Sequence, residues 1–337
     1  MEKSKIKELK KVLSSPKKIV VIPHKNPDGD AIGSSLGVYH YLKQNKHDIS
    51  IISPNDYPDF LKWMPGEEVV IKYDVQNDIA CKKIKEAELI FTLDFNSLSR
   101  IDEVANGLKA FTGDYVMIDH HQAPDDYAKY TYSDTSMSST CEMVYNFIDF
   151  LGEAHKITAE IATCLYTGIM TDTGSFRFPS TTSATHRIIA NLIDYGAKNA
   201  LIHNDIFDTN SLDKLHLLGC ALKNLVELPQ YHTVYITLSK EELQQFNYKK
   251  GDTEGFVNYG LSLKGIKFAA IFIESAQENI IKISLRSKGD FSVNEFARKH
   301  FNGGGHINAA GGRSEMSLEE TTAFFEKTLK AYKEELQ

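Results

Sequence analysis

Along the first 195 residues, short β-branched or apolar runs bounded by turn residues alternate with longer stretches whose apolar positions recur at helical spacing. The first pattern reads as strand and the second as amphipathic helix. Strands are predicted over Lys18–Pro23, Asp48–Ser53, Glu88–Leu93 and Tyr115–Ile118. Helices are predicted over Ile32–Lys46, Thr140–Leu151, Thr158–Met170 and Ser183–Asp194. Such alternation predicts an α/β fold built on a mostly parallel sheet. The stretch Lys198–Leu228 reads as helical and polar on one face, a connector. From Tyr231 the pattern changes: TVYITLS, FAAIFIES and IIKISLRS read as strands, and Ser292–Phe301 and Ser317–Leu336 as helices. The predicted organisation is a parallel-sheet domain over residues 1–195, a helical connector over 196–229 and a smaller α/β domain over 230–337.

Composition narrows the choice of class. A length of 337 residues suits two domains, and 42% hydrophobic residues is enough for a proper core in each. The formal charge of -7, from 38 basic and 45 acidic residues, argues against a general grip on long nucleic acid but leaves room for a small anion held locally. The N-terminal MEKSKIKELKKVLSSPKK is basic and amphipathic, with no apolar core of signal-peptide length after it, and no apolar run is long enough to span a bilayer. A cytoplasmic protein without a membrane partner is expected. The cysteines Cys81, Cys141, Cys164 and Cys220 show no CxxC spacing and read as free thiols.

The candidate chemistry gathers at the ends of the predicted elements. In VIPHKNPDGDAIGSS, His24, Asp28 and Asp30 follow an apolar strand and precede helix-starting residues. Asp94 ends the strand ELIFTL, Asp119-His120-His121 ends YVMI, and Asp172 ends the helical AEIATCLYTGIMT just before Gly174. In open α/β sheets the carboxyl edge is where ligands bind. Singly, each aspartate is an ordinary turn former or helix N-cap, and two adjacent histidines can be one buried and one solvated. Four such clusters at successive element ends instead suggest one convergent site. Carboxylates and imidazoles together suit a divalent ion. Two histidines and four aspartates overfill one ion, whereas two ions sharing a carboxylate use all six, and such pairs roughly 3.5–4 Å apart serve phosphoryl displacement. In the second domain, FARKHFNGGGHINAAGGR places Gly303, Gly304 and Gly305 in a row beside His306, with Arg286 on the preceding strand. Successive backbone N–H groups can form an anion nest there, while a flexible hairpin or helix C-cap is the alternative.

These motifs resemble the DHH phosphoesterase superfamily. HKNPDGDAIGS is similar to its first motif, LDFNSLSR to its second, IDHHQAP to the motif that gives the family its letters, and GIMTDTGSFRFPST to its fourth. GGGHINAAGG resembles the signature of the DHH-associated domain, DHHA1. The resemblance implies a substrate cleft between the two domains and a pair of divalent metals, Mn²⁺ first, with Mg²⁺ or Co²⁺ also suited. It implies one metal on His24, Asp28 and Asp94 and the other on Asp30, Asp94, His120 and Asp172. His121 would face the phosphate, Asp119 would fix an imidazole tautomer, and Arg100 would match an arginine that often follows the second motif, although a surface ion pair fits it as well. Arg286, the three glycines and His306 would bind substrate. Within the superfamily the resemblance points to enzymes that degrade short oligoribonucleotides and dephosphorylate 3′-phosphoadenosine 5′-phosphate (pAp). The partners implied are therefore short RNA and small nucleotides, and a homodimer is compatible with the chain. Alternatives are a cyclic or linear dinucleotide phosphodiesterase, an exopolyphosphatase-like enzyme and, from another class, a nucleotide-binding module without turnover.

Overall fold

The computed structural model describes residues 1–275 and 278–337, which fall into two compact units, Met1–Thr209 and Asn210–Gln337. The helix Asn199–Phe207 belongs to the first unit and Leu212–Lys223 to the second.

In the first unit the strands are β1 (Lys18–Pro23), β2 (Asp48–Ser53), β3 (Val70–Lys72), β4 (Leu89–Leu93), β5 (Asp114–Asp119) and β6 (Tyr130–Ser133). They pair in the order β3-β2-β1-β4-β5-β6, every pair parallel. Helices α1 (Lys3–Val12), α2 (Gly29–Lys43), α3 (Asn77–Glu86), α4 (Val104–Leu108), α5 (Thr140–Phe150), α6 (Ala159–Asp172), α7 (Ser183–Asp194) and α8 (Asn199–Phe207) accompany them. A sheet covered on both faces needs apolar residues at successive positions, and β1 supplies them. Ile19 and Val21 join one core cluster, while Val20 and Ile22 join the cluster on the other face. The strand order reverses between β1 and β4, so the chain leaves these two strands in opposite directions and opens a crevice at their carboxyl ends. The loops carrying His24 and Asp94 leave from this switch point.

Close helix packing completes the frame. Gly29, Gly33 and Gly37 recur every fourth residue along α2 and face α6. A Cβ on Gly33 would stand 2.6 Å from the Cys164 carbonyl oxygen, and one on Gly29 would overlap Thr171. Gly29 lies in the first turn of α2 and serves close approach. This glycine stripe brings the end of α6, with Asp172, beside the start of α2, with Asp28 and Asp30.

The second unit is a mixed sheet in the order β11-β12-β10-β9-β8-β7. Its strands are β7 (Val226–Leu228), β8 (Thr233–Leu238), β9 (Phe268–Glu274), β10 (Ile281–Ser287), β11 (Gly304–Gly305) and β12 (Ala309–Ser314). Helices α9 (Leu212–Lys223), α10 (Lys240–Gln245), α11 (Phe256–Leu261), α12 (Val293–His300) and α13 (Leu318–Leu329) belong with it. Its two faces are again both apolar: Phe268 and Phe272 pack on one side, Val234 and Ile271 on the other. The cysteines are all free, Cys141 and Cys164 fully buried.

Candidate active site

Asp28 is both a cap and a member of the cluster. As N-cap of α2, its Oδ1 accepts from the Asp30 and Ala31 N–H groups at 3.0 and 3.1 Å, while its Oδ2 faces His24 Nε2 at 3.9 Å. The N-cap reading of this aspartate is correct and does not exhaust it. Two residues on, the Asp30 carboxylate is buried in the first turn of the same helix.

Asp94 directly follows β4 with φ +64°, a left-handed conformation that aspartate adopts more readily than most residues. The turn aims its carboxylate between two histidines. Oδ2 lies 3.4 Å from His24 Nε2, and Oδ1 lies 3.5 Å from His120 Nε2. His120 Nε2 also stands 3.8 Å from Asp30 Oδ2 and 3.5 Å from Asp172 Oδ2. Ligand atoms of His24, Asp28 and Asp94, and separately of Asp30, His120 and Asp172, lie within 4.8 Å of one another. Donors around an ion at about 2.1 Å stand roughly 3–4 Å apart, so both spacings suit a cation.

The imidazoles carry matching orientations. His24 Nδ1 is 2.8 Å from the Lys25 carbonyl oxygen, and His120 Nδ1 is 3.2 Å from that of Met137. A carbonyl only accepts, so each Nδ1 carries a proton, and each Nε2 faces the carboxylates, donating to them while the imidazole is charged and offering a lone pair to a cation once that proton leaves, the arrangement common among metal-ligating histidines. His121 differs. Its Nδ1 donates to Asp119 Oδ1 at 2.7 Å, and its backbone N–H donates to Asp119 Oδ2 at 2.8 Å, so a fully buried carboxylate holds both the ring and the loop.

Electrostatics show what the cluster lacks. Burial and the neighbouring carboxylates raise Asp30 well above the usual carboxylate range. Asp172 is pushed up to about 7 by burial and by Asp28 and Asp94, with His120 opposing. For Asp94 burial also pushes upward, but hydrogen bonds from His120 and His24 win and hold it well below the usual range. His24 would be lowered by burial, yet Asp94 and Asp28 raise it to about 9. The protein alone keeps this many acids together only by retaining protons, and a cation relieves the same repulsion. The donor set therefore fits divalent metal.

Arg100 is exposed at the end of a short turn after β4, where its backbone carbonyl accepts from the Lys25 N–H at 2.8 Å and ties the second motif to the first. In the second unit, Arg286 sits on β10 opposite Ala309 of β12, and His306 lies in the turn between β11 and β12. Of the two readings of the glycines, the structure takes the hairpin: Gly304 and Gly305 form β11, paired with β12. The Gly303 N–H donates to the Ala297 carbonyl, that of Gly305 to Asn294 Oδ1 at 3.1 Å and that of His306 to the Ala309 carbonyl at 2.7 Å. At Gly303 and Gly305 the lack of a side chain has a steric cause, because a Cβ would overlap the carbonyl oxygens of Gly311 and Ala309, whereas Gly304 has room for one.

Sequence reasoning missed three residues. Asn96 donates to the carbonyls of His121 and Gln122, buried Asn294 anchors the glycine hairpin, and Thr140 touches both Asp30 and Asp94. Ser139 with Glu142 marks a helix start in the sequence, and Ser139 does cap α5. Nothing local says what that helix end points at.

The fold and the site together define a hydrolase: the chain belongs to the DHH family of phosphoesterases. The model of the DHH family, N-terminal domain, matches residues 18–169, and that of the DHHA1 domain matches residues 229–335. Among its relatives is the bifunctional oligoribonuclease and PAP phosphatase NrnA of Thermus thermophilus, 32% identical over 98% of this chain and 93% of that protein. The protein of the same name from Bacillus subtilis is 29% identical over 90% and 91%. The crystal structure of an exopolyphosphatase-related protein from Bacteroides fragilis is 43% identical, with a TM-score of 0.95, covering 99% of this chain and 98% of that one. Among the described residues no helix is long and apolar enough to cross a membrane.

Proposed function

We propose that this phosphoesterase hydrolyses short oligoribonucleotides to mononucleotides and converts pAp to AMP, using two divalent cations, Mn²⁺ foremost. The observation that carries the reading is Asp94, whose two oxygens face two different histidine–carboxylate sets. In this reading His24, Asp28 and Asp94 hold one ion, and Asp30, Asp94, His120 and Asp172 hold the other. When bound, such ions neutralise phosphoryl charge and ease ionisation of water. His121, with Nδ1 committed to Asp119, uses Nε2 to stabilise charge on the phosphoryl oxygens, and the Asp119 carboxylate holds the ring in place. Arg286, Gly303, Gly304, Gly305, His306 and Arg100 contribute to substrate binding. For the glycines this means permitting close approach of backbone, since the N–H groups of Gly303 and Gly305 are already paired. The substrate class rests on the two oligoribonuclease relatives. The name of the Bacteroides fragilis relative favours polyphosphate as a second reading.

The experiment is turnover of pApA, pAp, cyclic di-AMP and polyphosphate at equal concentration with Mn²⁺. Faster release of AMP from pApA and pAp is expected. Dominant phosphate release from polyphosphate would replace this reading with the second, and dominant cleavage of cyclic di-AMP would make the protein a dinucleotide phosphodiesterase.

A further inference from the structure

Asp30, in the first turn of α2, and Asp94, after β4, are 64 positions apart in the chain, yet one residue touches both. The Thr140 backbone N–H donates to Asp30 Oδ2 at 2.6 Å, the Cys141 N–H donates to Asp30 Oδ1 at 2.8 Å, and the Thr140 hydroxyl donates to Asp94 Oδ1 at 2.9 Å. Thr140 and Cys141 open α5, so both oxygens of a buried carboxylate rest on the electropositive end of a helix. We propose that Thr140 is a positioning residue that fixes the separation of Asp30 and Asp94, and with it the spacing of the two cation subsites. The proposal rests on the two-cation reading above.

The surroundings make Thr140 a rigid reference. The Ser139 side chain accepts from the Glu142 N–H at 3.0 Å, and the buried Glu142 carboxylate accepts from the Ser138 hydroxyl and, at 3.0 Å, from Thr185 Oγ1 on α7. The start of α5 is thus tied to its own preceding loop and to a neighbouring helix. On α6, Gly168 leaves the room that Asp30 and Cys141 occupy: a Cβ there would overlap Cys141 Sγ and stand 2.9 Å from Asp30 Oδ1. Ligating side chains hold productive geometry only when their own positions are locked by such outer bonds.

Each of these bonds still leaves the carboxylates able to serve a cation. An oxygen of an ionised carboxylate has two lone pairs, so Asp30 Oδ2 and Asp94 Oδ1 can each accept from Thr140 and keep a second direction for His120's side of the cluster, where Nε2 lies 3.8 and 3.5 Å away. The hydroxyl and the N–H of Thr140 have separable duties. Only the hydroxyl reaches Asp94, and a side-chain change leaves the N–H in place.

The test uses the full chain with Thr140→Val, which keeps shape and N–H but loses the hydroxyl, and Thr140→Ser, which restores it. Thr140→Ala replaces Val should the latter fail to fold. Mn²⁺ binding by calorimetry and the spin coupling between bound Mn²⁺ ions are the readouts, with kcat and KM on pAp beside them. Expected for Val or Ala is a roughly tenfold or greater weakening of at least one Mn²⁺ step, altered coupling, and lower kcat at similar KM, with Ser close to wild type. Wild-type affinities and coupling in the hydroxyl-free variant would overturn the role of Thr140. Failure of the wild-type protein itself to bind a coupled Mn²⁺ pair would instead overturn the two-cation reading beneath it.

Discussion

The carboxyl edge of the first sheet and the glycine hairpin of the second both caught attention as runs of unusual residues, and they are unusual for opposite reasons. At the sheet edge, side chains are assembled against their own electrostatic interest. Asp30 and Asp94 are buried beside Asp28 and Asp172, and both His24 and Asp172 hold protons more tightly than they would in water. In the hairpin, the backbone is satisfied from within: Ala297, Asn294 and Ala309 accept the N–H groups of Gly303, Gly305 and His306. One region stores a demand for a positive ligand, and the other has met its own demands. Substitutions should separate the two, harming chemistry in the first and folding in the second.

The largest expected effect is that of Asp94→Ala. Losing a carboxylate that faces both sets should lower hydrolysis of every substrate by more than about a thousandfold and reduce Mn²⁺ content. Circular dichroism of the metal-free variant separates this loss from any unfolding, since Asp94 also pairs with His24 and His120. Near-normal turnover with Mn²⁺ supplied would remove Asp94 from its shared role.

Gly303→Ala should do the reverse. The added methyl collides with backbone, which flexible side chains cannot relieve, and overpacking of this kind costs about 1–3 kcal/mol. Denaturant unfolding should show the loss while Mn²⁺ binding stays at the wild-type level. Unchanged stability would show that the hairpin relaxes and that its glycines are bare for another purpose.

His121→Ala is expected to lower kcat by about a hundredfold, as for loss of one preorganised charge stabiliser, and to leave metal content intact. Loss of an ion in this variant would move His121 into the ligand set. Arg286→Ala and His306→Ala should lower kcat/KM for pAp and short RNA by about tenfold, with little effect on bis-p-nitrophenyl phosphate, which offers neither a nucleoside nor a second phosphate to hold. Equal losses on both substrate types would contradict recognition through these residues.

A smaller effect is a shift of stability with pH. His24, raised to about 9, and Asp172, raised to about 7, both bind protons more tightly folded than unfolded. In metal-free protein their stabilising contribution is present at low pH and is lost as pH rises, first through about 7 and then through about 9. The melting temperature in a chelator should therefore fall by a few degrees between pH 6 and 8.5, and Mn²⁺ should flatten the fall by replacing those protons. A metal-free melting temperature that rises over this interval would contradict the assigned shifts.

Legibility in the sequence follows the same division. Strands Lys18–Pro23 and Asp48–Ser53 and helix Ser183–Asp194 were readable to the residue because apolar periodicity and turn chemistry are local signals. The acid and histidine clusters were readable because their residue types are costly to bury without a purpose. The two-residue β11 and the glycine-rich β12 were not, since Gly304–Gly305 and AAGGRS carry little strand propensity, and β12 owes its place to β10 and β11 its place to β12. Thr140 and the Gly29-Gly33-Gly37 stripe escaped for a related reason. Their roles lie in what they face, α6 for the glycines and the carboxylates of Asp30 and Asp94 for the threonine, and those neighbours are set by topology.

The central claim is that Asp94 is shared by two cation subsites at the switch point of the first sheet. Its most direct test is anomalous diffraction from crystals of the full chain grown with Mn²⁺. The account expects two peaks about 3.5–4 Å apart, one beside His24 and Asp28, the other beside Asp30, His120 and Asp172, each with one Asp94 oxygen within coordination distance. A single peak, or two peaks that do not share Asp94, would contradict it.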